Sequence, residues 1–554
     1  MPQPPIPFPP VSDRADDDAQ PTAGTATETL ATVVIKFQEA VSLVDVFPVE
    51  QSAHSGVKAS FRLSVDYLVS SQFARVFYGQ LDDYKPVGIG EFWQYVSATG
   101  GTLVPLLNHT EPSLLLKLLE RAYNQPNRMK SGYKVTRMDS VPLQSANPFT
   151  YFKVVCPLDR AVELEKALQA FTPDGKTKAP LLELAYVRGE FVGAGSRPST
   201  ATNPTDFRSL LNVPNTPFPA DSSSRLHIVD QGWSPHRAYN HRLTLDQRSI
   251  RFPATDSVPE ALIPHGCRVL GVLIGDDSIV KGVVPGVAVN LYSAYDDAGL
   301  TRIDDALAHA FDAATANDVI LLELALVQLH KLDVLFPSGA GTTYYPLDTD
   351  QACYDLIWLA TNELGLTIVE PAGNSSLDLD ALDRYFATQQ RRINPTDTVD
   401  YEANYSPTGR LAEGQIIHRA RYVSNQLPSD PSQLVSPDSG AIVVGAATVK
   451  ASKWVNSSSF GTRIDCVAPG EGLKTTDTNN GYLSSFGMTS GASALLAGFI
   501  VYLKAKQSGL TALSVRRLLR GAAQGNTTQS PVSLHGAVKF PNLGALLEQF
   551  AGGV

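Results

Sequence analysis

The chain has 554 residues, with 45 Lys and Arg against 55 Asp and Glu, a formal net charge of −10. That balance, with no basic patch rich in aromatics, excludes the electrostatic footprint of a nucleic-acid binder. The length exceeds one ordinary core and predicts two or three domains, and 43 % hydrophobic with 18 % charged residues is the composition of a soluble globular protein. The longest apolar runs, 266–275 and 494–503, are too short to span a membrane. Cys156, Cys267, Cys353 and Cys466 are widely separated and form no metal-ligand spacing or disulfide framework. The first residues have neither a basic segment nor an apolar core of a secretory signal. Free thiols and synthesis in the cytoplasm are therefore the expectation, with export by a non-classical route left open.

Residues 1–27 are rich in Pro, Asp, Ala and Thr and read as a disordered tail. A Val- and Ile-rich strand is predicted over 30–37 and a partly alternating one over 58–69. Helices are predicted over 89–97 and 111–123, the second opened by Glu111-Pro112 and backed by five leucines. A strand over 151–155, a helix over 159–171 and a strand over 181–187 complete a smaller α+β domain covering 28–192. It carries no catalytic constellation. Residues 193–224 are Gly, Ser, Pro, Thr, Asn and Asp with short apolar pieces, and read as a linker that a protease reaches easily.

The style changes over 225–554. An apolar strand at 226–229 ends in Asp230-Gln231-Gly232. His265-Gly266 opens an apolar stretch, and a strand is predicted over 287–291. A helix follows over 303–316, then an almost continuous apolar strand over 318–326. The next helix, 350–364, ends at Gly365, and a strand over 366–369 leads to Pro371-Ala372-Gly373-Asn374. Residues 375–438 form a polar insertion. Core strands are predicted over 441–446 and 464–468. Small residues at 487–493 then feed a buried helix, and helices are predicted over 512–522 and 543–550. Non-alternating apolar strands interleaved with helices predict an α/β fold, a mostly parallel sheet covered on both faces. In such sheets the reactive groups sit at the carboxyl ends of the strands.

Four residues meet that rule. Ser490 lies in the first turn of its helix, among unpaired N–H groups and at the positive end of the dipole, which suits a nucleophile whose attack creates an oxyanion. Asp230, His265 and Asn374 each lie near an element terminus. Together they supply acyl transfer: Ser490 attacks, His265 moves the proton, Asp230 orients the imidazole and Asn374 donates to the oxyanion.

These motifs resemble the subtilase family of subtilisin-like serine proteases. The family's Asp motif, an apolar strand with Asp-Thr/Ser-Gly, matches Val229-Asp230-Gln231-Gly232. Its His-Gly-Thr-His matches His265-Gly266-Cys267-Arg268, and Gly-Val-Ala-Pro-Gly-Ala matches Gly282-Val283-Val284-Pro285-Gly286-Val287. Its substrate-binding strand falls on 318–325, its oxyanion motif on Ala372-Gly373-Asn374, and its Val-Ala-Pro-Gly on 467–470. The Ser motif falls on Met488-Thr489-Ser490-Gly491-Ala492-Ser493-Ala494. Met488 stands where the family has Gly, Ala494 where it has Pro, Glu323 for Ser and Ala325 for Gly.

The resemblance implies a subtilisin-like three-layer fold and a serine endopeptidase working through a Ser-His-Asp triad and an acyl-enzyme. A peptide substrate is implied as an added strand beside Glu323, Leu324 and Ala325, with Gly373 on the pocket wall. Glu323 suggests a preference for a basic or polar residue there, the alternative being that its side chain faces the core or a neighbouring loop. The smaller domain is implied to be either a pro-domain that blocks the cleft until cut within 193–224 or a permanent restraint. The departures keep a non-enzymatic peptide-binding scaffold as the alternative, and a small-substrate esterase or amidase as a third class. No cofactor is expected. Structural calcium is common in the family, and Asp276-Asp277 and Asp378-Leu379-Asp380 are the weak candidates. His227, His241, His330 and His418 are read as structural or surface residues.

Overall fold

The computed structural model of the chain describes residues 30–37, 95–96, 98–99, 101–110, 112–123, 148, 151–171, 182–193, 206–214, 218–219, 222–244, 263–295, 301–327, 342–382, 439–449, 453–461, 463–522 and 540–551. Toward the N-terminus, four antiparallel strands lie in the order Thr102–Pro105, Tyr151–Pro157, Leu30–Phe37, Leu182–Val187. Helices Pro112–Tyr123 and Ala161–Gln169 accompany them. All these elements fall within a few residues of the predicted limits, Thr102–Pro105 excepted, which the sequence did not suggest. The strand expected over 58–69 lies outside the described residues. Of 89–97, only Tyr95 and Val96 are described, both helical.

From residue 225 the chain builds an eight-stranded sheet. Its backbone runs Ile442–Thr448, Thr367–Pro371, Val319–Leu322, Arg225–Asp230, Ala288–Ser293, Leu243–Thr244, all parallel neighbours. Cys466–Pro469 adds in parallel to Ile442–Thr448, and only Lys453–Trp454 is antiparallel. Strands buried on both faces need apolar residues at every position, but successive side chains still point to opposite sides. Accordingly Leu226, Ile228, Val319 and Leu321 pack with the helices Ile263–Ile274 and Met488–Lys506. Val229, Ile320 and Leu322 pack on the opposite face with Ile303–Ala313 and Gln351–Trp358. Each such side chain, taken fully out of water, contributes about 1.5–3 kcal/mol. The result is three layers, helix on sheet on helix.

The N-terminal sheet rests on that second face. Tyr151 donates its hydroxyl to Asp355 at 2.6 Å, and Thr110 donates to Asp305 at 2.6 Å. Phe207–Leu210, inside the predicted linker, forms a short helix capped by Asp206, and Phe207, Leu211, Val213 and Phe218 join the core.

Two predicted elements take a different form. The stretch opened by His265 is a helix throughout, Ile263–Ile274, with His265 in its first turn. The strand expected over 318–326 breaks at Glu323. Val319–Leu322 belongs to the parallel sheet, whereas Leu324–Val327 joins a separate three-stranded sheet between Tyr345–Pro346 and Glu190–Gly193. Hydrophobicity alone cannot mark a strand that changes sheet. The central helix, Met488–Lys506, takes in more than the apolar run 494–503 and meets the length and hydropathy of a membrane span, with 89 % of that window buried inside the fold, and it ends at Lys506 as the sequence predicts. A hairpin, Leu473–Thr476 with Tyr482–Phe486, was not expected at all.

Asp465 closes the far edge of the sheet. Its buried carboxylate accepts from Val443 N at 3.0 Å and Arg516 Nε at 2.7 Å, with Arg520 and Arg463 also against it. Removing one member of a buried charge network strands the others. Asp465→Ala is expected to destabilise the fold by about 3–5 kcal/mol, read as a lowered denaturation midpoint; an unchanged midpoint would contradict this role.

Candidate active site

Three parallel-sheet connections deliver the site. The strand Arg225–Asp230 ends with Asp230 fully buried. The next turn, Gln231-Gly232, lies under the N-terminus of the His265 helix. The fit there is tight: a Cβ on Gly266 would fall 2.0 Å from the Gly232 carbonyl oxygen, so only glycine permits the approach. This brings His265 Nδ1 to 2.9 Å from Asp230 Oδ1 and 3.0 Å from Oδ2. The other ring nitrogen, Nε2, lies 3.0 Å from Ser490 Oγ. An imidazole whose Nδ1–H is held by a carboxylate presents an accepting Nε2 to the hydroxyl.

Ser490 is the third residue of the central helix and is fully buried. The turn into that helix is forced. Met488 adopts φ +58°, and its N–H donates to Gly470 O at 2.6 Å. Asn374 follows the strand Thr367–Pro371 and approaches the same turn. Its Oδ1 accepts from Thr489 N at 3.0 Å and Thr489 Oγ1 at 2.8 Å. With the carbonyl end so engaged, the donor end of the amide is Nδ2. The structure therefore brings Asp230, His265, Ser490 and Asn374 to one place. The arrangement provides a hydroxyl, a base, an orienting carboxylate and an amide donor.

The expected substrate residues divide. Leu324 and Ala325 lie on a strand edge opposite Gly193 and Val192. Gly373 sits at φ +88°, and a Cβ there would meet the Tyr344 carbonyl oxygen at 2.3 Å. Glu323 takes the core-facing of its two readings and not the substrate-facing one. Its side chain is fully buried and faces the central helix, with Oε1 2.7 Å from Ser493 Oγ and Oε2 without a hydrogen-bond partner. It presents no charge to a substrate side chain. Burial pushes its carboxyl well above the usual range, the Asp230 carboxylate adds to the push, and the hydroxyls of Ser493 and Ser490 oppose it.

Residues that the sequence reading missed also enter the site. Glu190–Gly193, which ends on the first residue of the predicted linker, is the strand that pairs with Leu324–Val327. Gly193 sits so close that a Cβ would lie 2.7 Å from Gln231 Oε1 and 2.8 Å from His265 Cγ. The only signal was a short Phe-Val-Gly run too brief for a strand prediction. In the candidate calcium loops Asp277 Oδ1 accepts from Ile279 N and Val280 N, and Asp378 Oδ1 from Asp380 N and Ala381 N. Among the described residues no group of three or more His, Cys, Asp or Glu is placed to hold a metal. His227 is buried on Tyr292 and is structural, and His241 lies at the surface; His330 and His418 lie outside the described residues. All four cysteines are free and buried, and burial raises the Cys267 thiol.

Two variants test these environments in the Ser490→Ala background. Because the folded protein holds the Glu323 proton more tightly than the unfolded chain, its contribution is full below the ordinary value of 4.5 and is lost as pH rises toward the raised folded value. Glu323→Gln is expected to gain thermal stability over its parent progressively from pH 5 to pH 8; a pH-independent difference would contradict a neutral buried acid. A left-handed backbone costs an L-residue about 1–2 kcal/mol, so Met488→Gly is expected to stabilise the fold by about 1 kcal/mol. A lowered melting temperature would show that the Met488 side chain, not its backbone, matters.

The subtilase family model matches residues 189–538. Alkaline elastase YaB of Bacillus sp. (strain YaB) is 29 % identical over 220 residues, which are 39 % of this chain and 49 % of that protein, so the match spans about half of the curated relative. Among solved structures, a cold adapted subtilisin-like serine proteinase is 16 % identical, covering 60 % of this chain and 96 % of its own, with a TM-score of 0.36. The protease domain of PatA, as a Ser-to-Ala mutant, is 16 % identical, covering 60 % and 98 %, with a TM-score of 0.39. The family match spans more than half of the chain and begins at the strand lying in the cleft: this protein belongs to the subtilase family.

Proposed function

We propose that the protein is a serine endopeptidase that cuts its own chain beside the cleft and is restrained until then by its N-terminal domain. The observation that carries the chemistry is the hydrogen-bond chain from Asp230 through His265 to Ser490. In the proposed reaction Ser490 Oγ attacks the peptide carbonyl while its proton passes to His265 Nε2. Asp230 accepts the Nδ1–H and stabilises the imidazolium. The oxyanion is met by the Asn374 amide and by backbone N–H of the central helix. His265 then protonates the leaving amine, and water, activated in the same way, releases the acyl-enzyme.

Substrate polarity follows from the strand in the cleft. Glu190–Gly193 runs antiparallel to Leu324–Val327, with Val327 opposite Glu190 and Leu324 opposite Gly193. Its direction leads toward residue 323 and hence toward Ser490. Strand addition of this kind is how an extended peptide binds an open sheet edge. Gly193, pressed against His265, then occupies the position one residue before the acyl donor. The bond after Ala194 is the proposed cleavage point, at the start of the predicted linker.

Three expectations follow. A fluorophosphonate is expected to label Ser490, and to label neither Ser490→Ala nor His265→Ala; labelling undiminished in His265→Ala would overturn the base assignment. Asn374→Ala is expected to lower kcat on a peptide by about 100- to 1,000-fold, with a smaller change in KM; unchanged kcat would remove Asn374 from the oxyanion site. Gly193→Val is expected to slow self-cleavage, since its side chain has no room between Gln231 and His265; an undiminished rate would contradict the register.

A further inference from the structure

The N-terminal segment does more than lie along the strand edge. Ahead of Glu190, Arg188 turns its guanidinium into the protein, where its side chain is 3 % exposed. Two carboxylates clasp it, each with both oxygens. Nη1 and Nη2 donate to Asp304 at 2.6 and 2.8 Å. Nε and Nη2 donate to Asp350 at 3.0 and 2.9 Å. Cys353 Sγ lies 3.3 Å from Nη2, and the guanidinium carbon sits 4.8 Å over the Phe191 ring. Planar, two-sided recognition of this sort fits a guanidinium and not an ammonium.

The carboxylates of the pocket come from the catalytic part of the chain, each at the start of a helix. Asp304 lies in the first turn of Ile303–Ala313. Asp350 caps Gln351–Trp358, accepting from Cys353 N at 3.0 Å. Both carboxylates thus sit at helix N-termini, which favour their charge. Tyr186, which donates to Asp350 at 3.0 Å, belongs to the N-terminal sheet and would leave with it.

We infer that Asp304 and Asp350 form a guanidinium subsite of the cleft, which selects substrates carrying an arginine five residues before the position of Gly193. The inference rests on the proposed protease reading and on the register of the strand in the cleft. Once the N-terminal segment leaves, the two carboxylates face the path of any peptide that adds to Leu324–Val327. Such a substrate carries an arginine three residues ahead of an aromatic, as Arg188 stands to Phe191.

The test compares two peptides with the sequence of residues 186–197, one with arginine at the position of Arg188 and one with citrulline, which keeps the shape and loses the charge. The enzyme is the self-processed full chain. A retained N-terminal domain competes equally with both, so the ratio of their kcat/KM values is unaffected. The expected ratio favours arginine by about tenfold or more, and Asp304→Asn and Asp350→Asn each reduce it. If neither peptide is cut but Ser490 is labelled by a fluorophosphonate, the ratio is read from how strongly each peptide slows labelling. Equal values for the two peptides overturn the subsite and leave the protease reading standing. No cleavage together with no labelling overturns the protease reading, and the subsite with it.

Discussion

The site depends on one close approach. The helix carrying His265 begins against the turn that follows Asp230, and the separation leaves no room for a side chain at Gly266. A larger residue there would push the imidazole off Asp230 and, through the same ring, off Ser490. The remaining geometry then follows from the sheet. Two parallel strands of one sheet, on either side of Val319–Leu322, end at Asp230 and just before Asn374, and the central helix, anchored by Met488 on Gly470, brings Ser490 to the same end. Backbone packing, not side-chain adjustment, sets the hydrogen-bond chain.

The same edge explains how the cleft is covered. Leu324–Val327 leaves the parallel sheet at Glu323 and pairs with Tyr345–Pro346 on one side and Glu190–Gly193 on the other. An open strand edge is a template for any extended peptide. Here the chain itself occupies it. The pairing is fixed further by Tyr295, whose hydroxyl donates to the Phe191 carbonyl, and by the buried Arg188 clasp. Main-chain pairing gives direction and register, and the ion pairs give the segment its hold.

Much of this was legible in the sequence, for identifiable reasons. Asp230, His265, Asn374 and Ser490 stand at element termini within distinctive neighbours, and short apolar runs separated by turn residues marked most strands. Two kinds of feature escaped. On a continuous strand the direction of Glu323, toward a substrate or toward the core, stays open; the break there turns its carboxyl toward Ser493. Arg188 carried no local signal and Gly193 only a short Phe-Val-Gly run, since their partners, Asp304, Asp350 and His265, lie far along the chain and only the folded sheet edge brings them together. The helix over 263–274 escaped because Pro264, Gly266 and Gly271 interrupt an apolar run that is mostly buried and carries one charged residue, Arg268.

The most direct test of a self-processing serine endopeptidase is the intact mass of the purified full chain followed over time beside Ser490→Ala. The wild type is expected to convert to two fragments whose junction lies just past Gly193, while the variant stays whole. A wild type that stays whole, or a variant cut at the same place and rate, would contradict the account.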